Sequence, residues 1–359
     1  MSDSITLDKH RFLKFLTELG TVDSLSDVKG KLTLLIDIMH REKKDLYGIF
    51  HTDNPDDGVI LPGDYLKGEI EQILDTKTIE RTRYYINRLI QGISKVKTND
   101  VNDINLNRWK EYDSILTDSL WILPKRDSSG SHSSWYWGNF IPQIPRQLML
   151  RYTKKNDLVV DPFAGSGTTL LECQHLERNG IGVELNKDIA EKTGTIIRQE
   201  EHGYDGIKTV VEIGDSAKID FHLLLQKHGF RSAQLLLLHP PYHDIIPFSN
   251  DPRDLSAQAG LETFLDLFGK VIDNTYDILD TKRYLAVVIG DKYFKGEWIP
   301  LGFYIMQEVL KRKYTLKSIV VKNFEDTLGK RNQKELWRYR ALAGGFYIFK
   351  HEYIFLFQK

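Results

Sequence analysis

One stretch constrains this chain more than any other: Asp161-Pro162-Phe163-Ala164-Gly165-Ser166-Gly167-Thr168-Thr169. The apolar run Leu158-Val159-Val160 precedes it, and the helix-like pattern from Leu170 to Leu176 follows. Strand, glycine turn and helix are the parts of a nucleotide-binding βα unit. The glycines let the backbone turn sharply and lie close to a ligand, and the helix start offers free N–H groups. The dinucleotide fingerprint requires G-x-G-x-x-G, and the phosphate loop requires a Gly-Lys-Ser/Thr ending. Thr168 and Thr169 follow Gly167 with no lysine, so a diphosphate cradle is poorly supported.

Further buried strands organise around this unit. Gly180 to Asn186 reads as a short strand ending in Glu184, some twenty residues past the glycines, where a carboxylate can accept both hydroxyls of a ribose. Val210 to Ser216 reads as a third strand closing on Gly214-Asp215-Ser216; an Asp there also suits a helix N-cap. Ala233 to Leu238 is continuously apolar, as a parallel strand covered on both faces should be, and runs into His239-Pro240-Pro241-Tyr242. Tyr284 to Asp291 is a further strand whose end should line the cleft, and Ser318–Val321 and Tyr353–Phe357 read as an antiparallel closing pair. The expected fold is a doubly wound, Rossmann-like α/β sheet, mostly parallel, with an antiparallel C-terminal pair.

The glycine stretch resembles motif I of the S-adenosylmethionine-dependent DNA amino-methyltransferases, the N6-adenine and N4-cytosine enzymes, and His239-Pro240-Pro241-Tyr242 resembles their motif IV. Gly138 to Pro145, with two prolines setting an extended entry into a helix from Arg146 to Tyr152, looks like motif X. The resemblance covers the latter two-thirds of the chain. It implies S-adenosylmethionine held by Asp161, Phe163, Gly165, Gly167, Thr168 and Thr169, and by Glu184 at the ribose. Asp215 and Ser216 would sit at the adenine, and Asn139, Phe140 and Pro142 would cap the methionine end. It also implies duplex DNA as substrate, a flipped base, and a cognate restriction endonuclease acting separately.

At motif IV, His239 and a backbone carbonyl fixed by Pro240 and Pro241 would accept the two N–H bonds of the target amine, while Tyr242 stacks on the base. The family has Asp, Asn or Ser where this chain has His239. A neutral imidazole can accept one hydrogen bond; a protonated one can only donate, so activity should fall at low pH. The substitution leaves adenine N6 and cytosine N4 both open, with the reading leaning to adenine. Methyl transfer to an amine needs alignment rather than a covalent intermediate, so Cys173, on the helix after the glycine loop, reads as core filler. Two rivals stand beside this reading: an RNA amino-methyltransferase of the guanine-N2 type, and a DNA-binding relative that His239 has made inactive.

Composition limits the partners. Formal net charge is −1 and the pI is about 6.8, so nucleic acid must be held by a local basic face. One cysteine excludes an internal disulfide, fits a reducing cytoplasm and leaves no cysteine metal cluster; no metal is expected. No signal layout or apolar span of membrane length is evident.

Residues 1–107 are expected to be a mostly helical N-terminal region sharing DNA recognition, and residues 108–359 the methyltransferase domain. Phe12, Phe15, Leu16 and Leu19, then Leu32, Leu35, Ile36 and Met39, recur at helical spacing, with Gly20 and Gly30 as breaks and Pro62-Gly63-Asp64 as a turn. On a helix from about Thr78 to Lys95, Arg81, Arg83 and Arg88 lie off the apolar stripe, as solvated surface or as a phosphate-contacting face. Residues 96–107 read as a polar linker. The Ser/Gly-rich loop from Arg126 to His132 reads as mobile or ligand-facing, and Trp135, Tyr136 and Trp137 as core or as a stacking surface. The polar loop 243–254 should border the target base. Lys330 to Arg340, with Lys311, Arg312, Lys313, Lys317 and Lys322, makes the C-terminal part basic, suited to phosphate contacts.

Overall fold

The computed structural model describes residues 4–40, 45–52, 57–123, 126–127, 130, 132, 135–200, 206–323 and 334–359. The chain forms two compact units: residues 1–100 with 104–114, and residues 101–103 with 115–359.

In the first unit, strand β1 (Ser4–Asp8) leads into helix α1 (Lys9–Thr21), followed by α2 (Leu25–Met39), β2 (Gly58–Pro62), α3 (Gly63–Leu74) and α4 (Ile79–Ser94). The apolar stripes seen in the sequence make its core: Phe12, Leu16, Leu32, Leu35, Leu66, Ile70, Ile86 and Leu89 are sealed from solvent. Caps fix the helix starts, with Asp8, Ser24 and Thr78 accepting from the third residue on. The unit is mostly helical, as expected, with β1 and β2 added as an antiparallel pair. Two expectations are corrected. Gly30 lies inside α2 at an exposed position, where packing of Leu32 and Leu35 outweighs its weak helix propensity. Pro62-Gly63-Asp64 opens α3, with Pro62 as the cap, rather than forming a free turn.

The second unit is built on an eight-stranded sheet. Its elements in chain order are β3 (Leu120–Trp121), α5 (Gln143–Tyr152), β4 (Leu158–Asp161), α6 (Thr168–His175), β5 (Asn179–Glu184), α7 (Lys187–Glu200), β6 (Thr209–Ile213), α8 (Phe221–Lys227) and β7 (Ala233–Leu238). Then follow α9 (Leu261–Tyr276), β8 (Leu279–Ile289), the small hairpin β9 (Lys292–Phe294) and β10 (Glu297–Ile299), α10 (Leu301–Leu310), β11 (Thr315–Asn323), α11 (Lys334–Gly344) and β12 (His351–Gln358). The sheet order is β3-β11-β12-β8-β7-β4-β5-β6. Strands β6, β5, β4, β7 and β8 are mutually parallel; β12 runs antiparallel to both β8 and β11. The antiparallel closing pair is present, with β12 inserted between β8 and β11.

Alternation along the central strands explains the three layers. Leu158, Val160, Leu236, Leu238, Leu285 and Val287 face one core with Phe221 of α8, Phe264 and Phe268 of α9 and Ile305 of α10. Val159, Leu235, Leu237, Ala286 and Val288 face the other, with Ile144 and Leu148 of α5 and Cys173 of α6. Cys173 is buried and its thiol pKa is pushed up by that burial, as core filler should be. Among the described residues no helix is long and apolar enough to cross a membrane.

Candidate active site

The glycine loop leaves the C-terminal end of β4, and His239-Pro240-Pro241-Tyr242 leaves the C-terminal end of β7. These strands are parallel neighbours, pairing Val159 with Leu235 and Val160 with Leu236. Both loops therefore emerge side by side at one sheet edge, where open α/β sheets bind their ligands.

The glycine loop is built from within. Asp161 is buried; its carboxylate accepts from Thr169 Oγ1 at 2.5 Å and from the Phe163 N–H at 2.9 Å, tying the start of the loop to the first turn of α6. Burial raises its pKa to about 6. Each oxygen holds one group of the loop, so Asp161 shapes the site while keeping a lone pair on each oxygen. Gly165 and Gly167 have φ of 48° and 77°, and a Cβ on Gly167 would come within 2.7 Å of Thr193 Cγ2. The loop needs glycine there for conformation and for space.

Glu184 ends β5 beside this loop. Its Oε2 accepts from the Gly165 N–H at 3.0 Å and its Oε1 from the Asn186 N–H at 2.8 Å. Each oxygen keeps a lone pair for a further donor. The carboxylate lines a cavity of about 280 Å³ with Leu185, Ile189, Tyr136 and Phe248. Tyr136 packs over Gly165 and stacks on Phe248, centroids 5.5 Å apart at 12°, so the cavity has an aromatic wall. Of the neighbouring aromatics, Trp137 is exposed, and Trp135 lies under the Lys192 ammonium at 3.8 Å.

Past β6, Asp215 Oδ1 accepts from the Ala217 N–H, while its buried Oδ2 makes no hydrogen bond; the nearest cation, Lys218 Nζ, stands 3.9 Å away. Ser216 is spent differently, donating to the Pro162 carbonyl at 2.7 Å and bracing the glycine loop. On the opposite flank, Asn139 Nδ2 donates to Ser166 Oγ at 3.0 Å, and Ser166 Oγ lies 3.3 Å from Thr168 Oγ1. Arg126 NH1 donates to Asn139 Oδ1 and the Phe140 carbonyl, leaving buried Nε and NH2 without hydrogen bonds. Sequence reasoning did not single out Arg126; a lone arginine in a Ser/Gly loop gives no spacing signal. The entry to α5 differs from expectation. Pro142 caps the helix in the α-region (φ −56°, ψ −29°) and Pro145 sits in its first turn, where a missing N–H costs nothing.

At the motif IV side the His239 ring meets Phe140 edge-on at 4.8 Å and Tyr242 at 5.6 Å. Burial pushes its pKa down to about 4, so the ring is neutral over the ordinary working range. The loss of the neutral form expected at low pH therefore falls in a more acidic region than the ordinary histidine range. Tyr242 donates its single hydroxyl proton to Glu352 Oε2 at 2.7 Å. The 3.3 Å contact between Tyr242 Oη and His239 Nε2 then has the imidazole N–H donating. That leaves the His239 lone pair on Nδ1. Lys322 Nζ pairs with Glu352 Oε1 at 3.1 Å, both side chains buried. Pro240 is buried, Pro241 half-buried, and Tyr242 packs against Gly290, where a Cβ would come within 2.8 Å of the ring. Asp291 is engaged in ties to Trp298, Tyr353 and the Gly302 N–H. After Tyr242 the chain turns through His243, buried at a φ of 54°.

The basic features divide. Arg83 donates to the carbonyls of Gly20 and Val22 and to Asp23; Arg88 pairs with Glu69 at 2.6 Å; Arg81 lies over the rings of Tyr84 and Tyr85. These contacts correct the phosphate-face alternative for Arg83 and Arg88. Lys330 and Arg331 lie outside the described residues, as does the side chain of Lys334, whose backbone begins α11.

Residues 24–195 match the family model described as DNA methylase, spanning the glycine loop and Glu184 and ending before His239. The type II methyltransferase M.MjaII of Methanocaldococcus jannaschii is 28% identical over 185 residues, which are 50% of this chain and 28% of that protein. The tRNA (guanine(10)-N2)-dimethyltransferase of Pyrococcus abyssi is 26% identical over 174 residues, 46% of this chain and 49% of that protein. The chain thus spans less than half the length of these curated relatives. Among solved structures, TrmN from Thermus thermophilus aligns over 62% of this chain and 50% of its own, with a TM-score of 0.39 and 16% identity. With the glycine loop and the Pro-Pro turn side by side on a mostly parallel sheet and the family match over the first of them, the similarities support a DNA amino-methyltransferase of the N6-adenine/N4-cytosine family.

Proposed function

We propose that the chain transfers a methyl group from S-adenosylmethionine to an exocyclic amine of a base flipped out of duplex DNA, adenine N6 rather than cytosine N4. The observation that carries this reading is the emergence of the glycine loop and His239-Pro240-Pro241-Tyr242 from adjacent parallel strands, with Phe140 edge-on to His239. The cofactor's fit rests on groups that lack partners. Asp215 Oδ2 is a buried acceptor suited to an adenine amine, and Glu184 keeps lone pairs suited to ribose hydroxyls. Arg126 offers two unused N–H groups suited to a carboxylate. When bound, S-adenosylmethionine supplies an electrophilic methyl on sulfonium.

The chain's own part is alignment. His239 Nδ1 accepts one N–H of the target amine, and a carbonyl of the Pro240-Pro241 turn accepts the other, directing the nitrogen lone pair at the methyl. Neutral His239 then takes the proton that the amine sheds. Tyr242, anchored by Glu352, provides an aromatic wall for the base. Residues 1–107 and the basic segment near Lys330 share duplex recognition, and residues 108–359 carry the chemistry. A separate restriction endonuclease is the partner this reading brings with it.

The similarity to the tRNA dimethyltransferase over 46% of the chain supports a second reading, methylation of guanine N2 in RNA. Labelled methyl incorporation into duplex DNA and into tRNA, followed by identification of the modified nucleoside, separates the two. Incorporation into tRNA alone refutes the proposal.

A further inference from the structure

We propose that His132, Glu172 and His175 form a metal site for a divalent transition ion, Zn²⁺ by its donor set, which ties His132 to α6. His132 Nε2 lies 2.7 Å from Glu172 Oε1, and His175 Nδ1 lies 3.4 Å from the same oxygen. All three ligand atoms fall within 4.8 Å of one another. Tetrahedral zinc with bonds near 2 Å sets its ligand atoms about 3.3 Å apart, so the His132 contact need open only slightly. Two histidines and a carboxylate are an established zinc set, and Glu172-x-x-His175 places two of them one helical turn apart.

Two further observations point to a ligand. Glu172 is 2% exposed, and its buried Oε2 makes no hydrogen bond; its nearest cation, NH1 of the half-exposed Arg146, stands 3.6 Å away. A metal ion would engage that oxygen. The far nitrogen of His175, Nε2, lies 3.0 Å from Glu200 Oε1. A carboxylate on the second nitrogen is the arrangement that orients histidine ligands on metals. Gly130, at a φ of 59°, admits the chain here, since a Cβ would come within 2.6 Å of Glu200 Oε1. No metal was expected from the sequence, because His132 lies forty residues from Glu172.

The full chain, stripped with a chelator, is titrated with Zn²⁺ by calorimetry and with Co²⁺ by visible absorption. The expected result is one equivalent of Zn²⁺ in the wild type and a tetrahedral Co²⁺ spectrum. Both should be lost in His132→Ala and Glu172→Gln. Glu200→Gln keeps every ligand and should weaken binding about 10–100-fold with unchanged circular dichroism. A wild type that takes up no stoichiometric Zn²⁺, or variants that bind it as the wild type does, would overturn the proposal and show a hydrogen-bonded His–Glu network only. The readout is metal uptake, so neither outcome bears on methyl transfer.

Discussion

The half-buried imidazole of His239 gives the most direct physical test. In the folded chain its pKa is lowered by burial to about 4. In the unfolded chain it should titrate near 6.5. The folded state therefore keeps His239 neutral while the unfolded state takes up a proton on acidification. The associated stability is fully present above the unfolded pKa and is lost as pH falls from about 6.5 toward 4. At pH 5 the unfolded histidine is almost wholly charged and the folded one about nine-tenths neutral, which costs about 2 kcal/mol relative to pH 7. His239→Asn keeps a hydrogen-bonding side chain and removes the titration. Urea unfolding of wild type and variant at pH 7, 6 and 5 reads this group, because titrating residues that do not interact with it cancel in the difference; Glu352 and Lys322 are its charged neighbours. The wild type should lose about 2 kcal/mol against the variant between pH 7 and 5. A change below about 0.5 kcal/mol, near the uncertainty of such extrapolations, would show that the ring is solvated and the neutral-acceptor argument unfounded.

Other expectations follow from the same geometry. Glu184→Gln and Asp215→Asn should each weaken S-adenosylmethionine by about tenfold or more in calorimetry, since each replaces a charged acceptor with an amide; unchanged affinity would remove that residue from the site. Arg126→Ala should weaken the cofactor similarly, and a variant that binds as tightly as wild type would show that its unused N–H groups face water. Gly167→Ala forces a side chain into a left-handed conformation against Thr193 and should cost about 1–3 kcal/mol in unfolding, read as a lowered Tm. Charge reversal at Lys330, Arg331 and Lys334 should weaken duplex binding and flatten its dependence on salt; an unaltered salt slope would clear that segment.

The sequence by itself determined the main strands of the large sheet and the turns at their ends. The leucine-rich run from Ala233 to Leu238 reads as a strand covered on both faces, and the glycines at 165 and 167 as a turn, because run length and glycine's conformational freedom are local properties. The acid at Glu184 was legible because strand ends and loop spacing are local properties. Tertiary structure decided whatever depends on partners distant in the chain. The His239 tautomer is set by Glu352, 110 residues beyond Tyr242, through the hydroxyl they share. Asp161 braces its loop because Thr169 and Phe163 each donate to one of its oxygens. Arg83 and Arg88 turned inward because carbonyls at Gly20 and Val22 and the carboxylate of Glu69 lay within reach. A sequence states which groups are present; which of them remain unsatisfied, and so available to a ligand, is settled only when the packed chain has used the rest.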